Sequence, residues 1–141
     1  LDVMGPYDTR EVDGLEIQAL PLKHAPGTYG YLITTPQGRR TFYAPDTSDL
    51  KPEVIDILKG VDNLVMDSTF WENHGTARSH HDVRQTVHEG IDILDAGHVY
   101  LTHLAPHMSE AGVNEIDEMY RFAERFDGRV IVAEDGMQFT L

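Results

Sequence analysis

Residues 40–70 read RTFYAPDTSDLKPEVIDILKGVDNLVMDSTF. Arg40 to Ala44 is a short run of β-forming residues and predicts a strand. Lys51 to Lys59 follows with Val54, Ile55 and Leu58 on a helical period, and Gly60 closes it. Leu64-Val65-Met66 is a continuous apolar run too short for a helix, so it predicts a buried strand. Strand, helix and strand in succession are the unit of a layered α/β domain. Asp46 and Asp67 stand just past its two strands. In open α/β sheets, sites gather at the carboxyl ends of strands.

The same alternation extends outward. Residues 15–22 (LEIQALPL) and Gly30 to Thr35 predict two strands, and the turn Pro36-Gln37-Gly38 joins the second to Arg40–Ala44 as a hairpin. On the other side, Val83, Val87, Ile91 and Leu94 predict a helix from His81 to Ala96 that Gly97 ends. Val99 to Thr102 reads as a strand, and Gly112 to Phe126 as a helix stopped near Gly128. Val130–Ala133 and Met137–Leu141 read as closing strands. Residues 1–13 are polar and predict no element. No repeat or linker divides the chain, so residues 1–141 are expected to form a single domain.

Composition narrows the chemistry. Apolar content of 40% and charged content of 25% are those of a folded globular chain. Cysteine is absent, which removes disulfides and thiolate ligands and leaves imidazole and carboxylate as the strong metal donors. No membrane span and no charged-then-apolar leader are visible, so a cytoplasmic protein is expected. The net charge of −13, from 24 acidic and 11 basic residues, is a poor match for a polyanion. Nucleic acid is therefore not expected as a partner, and a small substrate is.

Three residues follow short apolar strands in a way that suits divalent cations: His24 in LPLKHAPGTYGYLI, Asp46 in RTFYAPDTSDL and His103 in HVYLTHLAPHMS. Each has a plainer alternative. A lone histidine after a strand serves as a hydrogen-bonded loop residue, and Asp46-Thr47-Ser48-Asp49 suits capping of the helix near Pro52. Asp67-Ser68-Thr69 suits a simple turn.

Taken in order, H-x4-YGYLI, YAPDTSDL, LVMDSTF, a histidine before an amphipathic helix, LTHLAPHMS and AEDGMQF resemble the carboxyl-terminal half of a metallo-β-lactamase-fold hydrolase. The resemblance covers about residues 15–141. It is similar to the cyclic phosphodiesterase of phosphonate breakdown and, more distantly, to RNase Z, the tRNA 3′-end nuclease. A third relative, the metallo-β-lactamase-fold protein of pyrroloquinoline-quinone biosynthesis, shares DSTFW but fits LTHLAPH poorly. The implied fold is α/β: half of a four-layer αβ/βα sandwich, a mixed sheet with helices on one face. The implied cofactors are two divalent ions, zinc or manganese, in the complete domain. The resemblance makes His24, Asp46 and His103 metal ligands, Asp46 as the bridging carboxylate, and makes His80 the non-ligand histidine that contacts the scissile phosphate. His81 is its adjacent rival. Asp67 is expected to orient a ligand from behind, and Asp82 either to do the same or to favour the helix N-terminus. His74 and Trp71 fall in the loop expected to rim a substrate pocket, and His107 is unassigned.

The family's HxHxDH cluster is nowhere in these residues. The resemblance thus implies an incomplete centre, with weak metal binding and little hydrolysis by this chain alone. It also implies an apolar sheet face that upstream polypeptide, a second chain or a homodimer must cover. Two functions follow. One is a metal-dependent phosphodiesterase for a small, or cyclic, phosphodiester. The other is a non-catalytic half-domain acting as an interaction or folding module.

Overall fold

The apolar runs resolve into one mixed sheet with helices on one side. The computed structural model describes residues 3–72, 80–105 and 114–141. Its elements are β1 (Thr9–Val12), β2 (Leu15–Pro21), β3 (Tyr29–Thr34), β4 (Arg40–Ala44), α1 (Pro52–Leu58), β5 (Asn63–Asp67), α2 (Val83–Val87), β6 (His98–Thr102), α3 (Glu115–Ala123) and β7 (Val130–Val132). The strands lie side by side in chain order. β1 to β4 pair antiparallel, and β4 to β7 pair parallel. Two reversals, from β2 to β3 and from β3 to β4, make β2 run in the same direction as β4, β5 and β6. The carboxyl ends of these four strands therefore share one edge of the sheet.

Side-chain alternation separates the two faces. Leu32, Phe42, Leu64, Val99 and Val130 are buried on the helix side. There they join Val54, Leu58, Val83, Val87, Met119 and Ala123 in one core cluster. Each fully buried side chain of this kind contributes about 1.5–3 kcal/mol of transfer free energy. On the opposite face, strand register aligns Ala19, Tyr31, Tyr43, Val65, Tyr100 and Ile131 in one row. Tyr31 and Tyr43 are 39% and 47% exposed. Helices cover one face, and the second face keeps exposed aromatic surface, as the half-sandwich reading expects.

Several expectations need correction. Residues 9–12 form a strand where none was read. The overlooked signal is Asp13-Gly14, whose φ values of +51° and +82° are those of a two-residue hairpin turn. Met137–Leu141 is not a strand. Gly136 turns the chain at φ +84°, and Phe139 stacks on Tyr100 with ring centroids 4.6 Å apart instead of extending the edge. The helix predicted at 81–96 begins at Val83 and changes at His88 to a π-helical turn running to Ile93. Of the helix predicted at 112–126, residues 112 and 113 lie outside the described residues. α3 itself ends in a 3₁₀ turn at Glu124–Phe126.

Gly97 does not cap the second helix by a left-handed turn; Asp95 takes that conformation, at φ +50°. Gly97 is needed for close approach, because a Cβ there would lie 2.7 Å from the Asp62 carbonyl oxygen. That oxygen accepts the His98 N–H, which starts β6, so it cannot move away without loss of a bond. Gly97→Ala is expected to destabilise the chain by about 1–3 kcal/mol. Chemical denaturation should show this as a lower midpoint with an unchanged slope.

Candidate metal centre

The shared strand edge collects the residues singled out above. His24 follows β2, Asp46 follows β4, Asp67 ends β5 and His103 follows β6. His80 is brought to them by α2: the Val83 N–H bonds to the Phe70 carbonyl at 2.8 Å, and Phe70 bridges to Asp82. Ligand atoms of Asp46, Asp67, His80 and His103 lie within 4.8 Å of one another. His24 joins through Asp46, with its Nε2 3.1 Å from Asp46 Oδ1. The His80 ring centroid lies 5.3 Å from that of His24 and 5.4 Å from that of His103.

Asp67 organises this group. It is fully buried. Its Oδ2 accepts the Thr47 N–H at 3.1 Å and His80 Nδ1–H at 2.8 Å. Its Oδ1 accepts the Thr69 N–H at 2.9 Å and the Thr69 hydroxyl at 2.6 Å. These four donors fill the acceptor sites of a carboxylate. Asp67 is thus engaged in positioning and has no lone pair left to give a cation. Because the Thr69 hydroxyl spends its proton on Asp67, its contact with His103 Nδ1 at 3.2 Å makes that nitrogen the donor. Both His80 and His103 then carry the proton on Nδ1 and keep Nε2 as the acceptor nitrogen, an assignment inferred from the hydrogen-bond network.

The other supports are backbone contacts. The Lys23 carbonyl accepts both the N–H and the hydroxyl of Ser48, which ties the His24 loop to the Asp46 loop. His103 itself sits at φ +60°, a left-handed conformation that is uncommon outside glycine. The Asp46 loop does not cap α1, whose N-cap is Lys51 with no side-chain bond. Lys23 pairs with Asp49, and its hydrogen bond holds the Asp49 carboxyl below its ordinary range against the opposing effect of burial.

The remaining candidates separate by position. Asp82 is outside the group; its side chain accepts the Gln85 N–H and caps α2. His81 is fully buried and faces Glu89, so His80 is the one of the adjacent pair that meets Asp46 and Asp67. Trp71 packs edge-on to Phe122 at 5.6 Å, with Arg84 over its ring at 5.2 Å. His74 and His107 lie outside the described residues. Thr69 and Ser48 were overlooked in the sequence, since a hydroxyl next to a strand end carries no signal of its own.

Asp46 Oδ1 tests whether this set suits a cation. It is buried and accepts no hydrogen bond, yet it lies within ion-pair distance of His24 Nε2 and of His80 Nδ1, 3.3 Å away. A buried carboxylate oxygen left over among imidazoles is a donor arrangement that fits a divalent ion. His24 and His80 are the imidazoles within ion-pair distance of this oxygen, and His103 belongs to the same cluster.

The Beta-lactamase superfamily domain matches residues 2–104. The chain belongs to this superfamily, and its fold is that of the metallo-β-lactamase group. It is 33% identical over 104 residues to the ribonuclease Z of Haloarcula marismortui, covering 72% of this chain and 32% of that protein. Among solved structures it resembles a diphosphatase from the PhnP family, with a TM-score of 0.68 and 21% identity over 93% of this chain. It also resembles zinc-bound PqqB from Methylobacterium extorquens, with a TM-score of 0.71 and 20% identity over 98% of this chain. The chain spans 45% and 55% of those two structures, so it matches about half or less of each relative's length. Among the described residues, no helix is long and apolar enough to cross a membrane.

Asp67→Asn replaces one acceptor oxygen by a donor facing either His80 and Thr47 or Thr69. Removal of such an orienting partner typically costs 10–100-fold in metal affinity. Competition titration with a chromophoric chelator is expected to show a loss of about that size, with the secondary structure retained by circular dichroism.

Proposed function

We propose that this chain carries one side of a metal-dependent phosphodiesterase centre acting on small phosphodiesters, cyclic ones within that class. The observation that carries the reading is the buried Asp46 Oδ1 set between His24 and His80, with His103 in the same cluster. The ribonuclease Z and diphosphatase likenesses support phosphoester chemistry. The net charge of −13 favours a small substrate over tRNA. The setting we propose is the cytoplasm.

In this proposal His24, Asp46 and His103 would hold two divalent ions, zinc or manganese. When bound, the ions supply Lewis-acid charge for the phosphoryl oxygens and activation of water. His80 is the residue that meets the substrate. Asp67 accepts its Nδ1–H, so Nε2 is the atom that takes up a proton, and only the imidazolium so formed can return that proton to a phosphoryl or leaving oxygen. Three protein donors are fewer than two ions require. The proposal therefore assigns the remaining donors to a second body of polypeptide, from upstream sequence or another chain. That body would lie over the Tyr31–Tyr43 face, where exposed aromatics call for cover. A homodimer is one form it takes.

The module reading rests on this short donor set. Metal content and hydrolysis of bis(p-nitrophenyl) phosphate separate the two. The expected result is little turnover by the chain alone and turnover once upstream polypeptide is joined to it. Asp46→Ala should then abolish bound metal and activity together. His80→Ala should leave metal content unchanged and lower kcat by about 10²–10⁴-fold. A stable monomer that binds no metal and gains no activity from added polypeptide would establish the module.

A further inference from the structure

A second group of donors lies directly behind the first. Asp49 stands on the loop that carries Asp46, His81 follows His80, and Glu89 lies on the π-helical turn after α2. One ligand atom from each falls within 4.8 Å of the others. Unlike the strand-edge cluster, this group is closed off from solvent on two sides: His81 is fully buried and Glu89 nearly so.

Its polar atoms are not satisfied by the protein. His81 Nδ1, His81 Nε2 and Glu89 Oε2 are buried without a hydrogen-bond partner. The His81 Nε2 to Glu89 Oε2 distance of 3.3 Å is an ion-pair distance whose geometry makes no hydrogen bond. Thr47 Oγ1, on the residue whose carbonyl accepts the His81 N–H at 3.0 Å, is likewise buried and unpartnered. Buried polar atoms are nearly always paired, so a concentration of orphans around one imidazole and two carboxylates calls for a missing partner.

We infer that Asp49, His81 and Glu89 form a further cation site, separate from the strand-edge centre, that takes a divalent transition ion such as zinc, manganese or cobalt. One imidazole with two carboxylates suits these ions, and the imidazole disfavours calcium and magnesium. Asp49 already accepts from Lys23 and Gln85, one bond on each oxygen, which leaves each oxygen a lone pair for coordination. The π-helical turn has a role in this site: it inserts a residue where Glu89 must reach back two turns to His81, and such insertions recur at functional sites. The ion would fasten the Asp46–Asp49 loop, the His80–His81 segment and the second helix to one another. It would thereby brace the segments that carry Asp46 and His80. This inference stands apart from the hydrolase reading and does not depend on it.

The test uses the untagged chain with Asp46→Asn and His103→Asn combined, which disables the strand-edge centre. Isothermal titration with zinc chloride and with manganese chloride is expected to show one ion bound per chain. Adding Glu89→Gln, which keeps side-chain size, should weaken that binding at least tenfold, and His81→Gln should do the same. Lys23→Met, which removes the competing ammonium, should leave binding as strong or make it stronger. Circular dichroism checks that each variant is folded; if His81→Gln is not, Glu89→Gln carries the decision. No ion taken up by the Asp46→Asn, His103→Asn protein would overturn the inference. Uptake that Glu89→Gln leaves unchanged would overturn it equally. Neither result bears on whether the unmodified centre hydrolyses phosphodiesters.

Discussion

The centre depends on a carboxylate with no access to water. Asp67 sits at the end of β5, which has a parallel neighbour on each side, and is entirely buried. A carboxylate removed from water is tolerated only when its oxygens are met by donors. The four donors that meet it come from three different segments: Thr47 from the loop after β4, Thr69 from its own loop, and His80 from the approach to α2. The requirement to satisfy Asp67 thus dictates where Asp46 lies, one residue from Thr47. It also sets which nitrogen of His80 is turned inward and, through Thr69, how His103 is held. Burial of one acid becomes the geometry of a whole site.

Strand direction supplies the other half of the argument. Two antiparallel reversals return β2 to the sense of the parallel strands, so His24 arrives at the same edge as residues contributed by β4, β5 and β6. A single additional or missing hairpin would have sent His24 to the opposite edge. The two faces of this sheet are unlike. Its helix-covered face is closed by a continuous core, while the other face presents Tyr31 and Tyr43 to solvent.

Much of this was legible in residues 40–70 and their flanks. β-Branched and aromatic runs gave away β2 to β6, and the apolar period of α1 matched its buried residues Val54 and Leu58. His24, Asp46, Asp67 and His103 could be named because each lies at a strand end, and His80 through the family resemblance. What misled were local signals with two physical meanings. Gly97 looked like a helix cap, but its value is room for the Asp62 carbonyl. Met137–Leu141 alternates like a strand, yet Phe139 stacks on Tyr100 instead of pairing the segment with the edge. Asp13-Gly14 was passed over because the residues before it are polar; the turn forms regardless, as both residues tolerate positive φ.

The amino-acid order alone determined the layered α/β class and the lack of any thiolate. Those follow from local periodicity and from side-chain chemistry, which need no knowledge of distant contacts. The tertiary structure decided which of two adjacent histidines meets Asp46 and that Asp82 serves a helix end. It also decided that Asp49, His81 and Glu89 come together at all. Those outcomes turn on strand direction, on a π-helical insertion and on the pairing of buried polar atoms, all of which arise only when segments far apart in the chain are packed against one another.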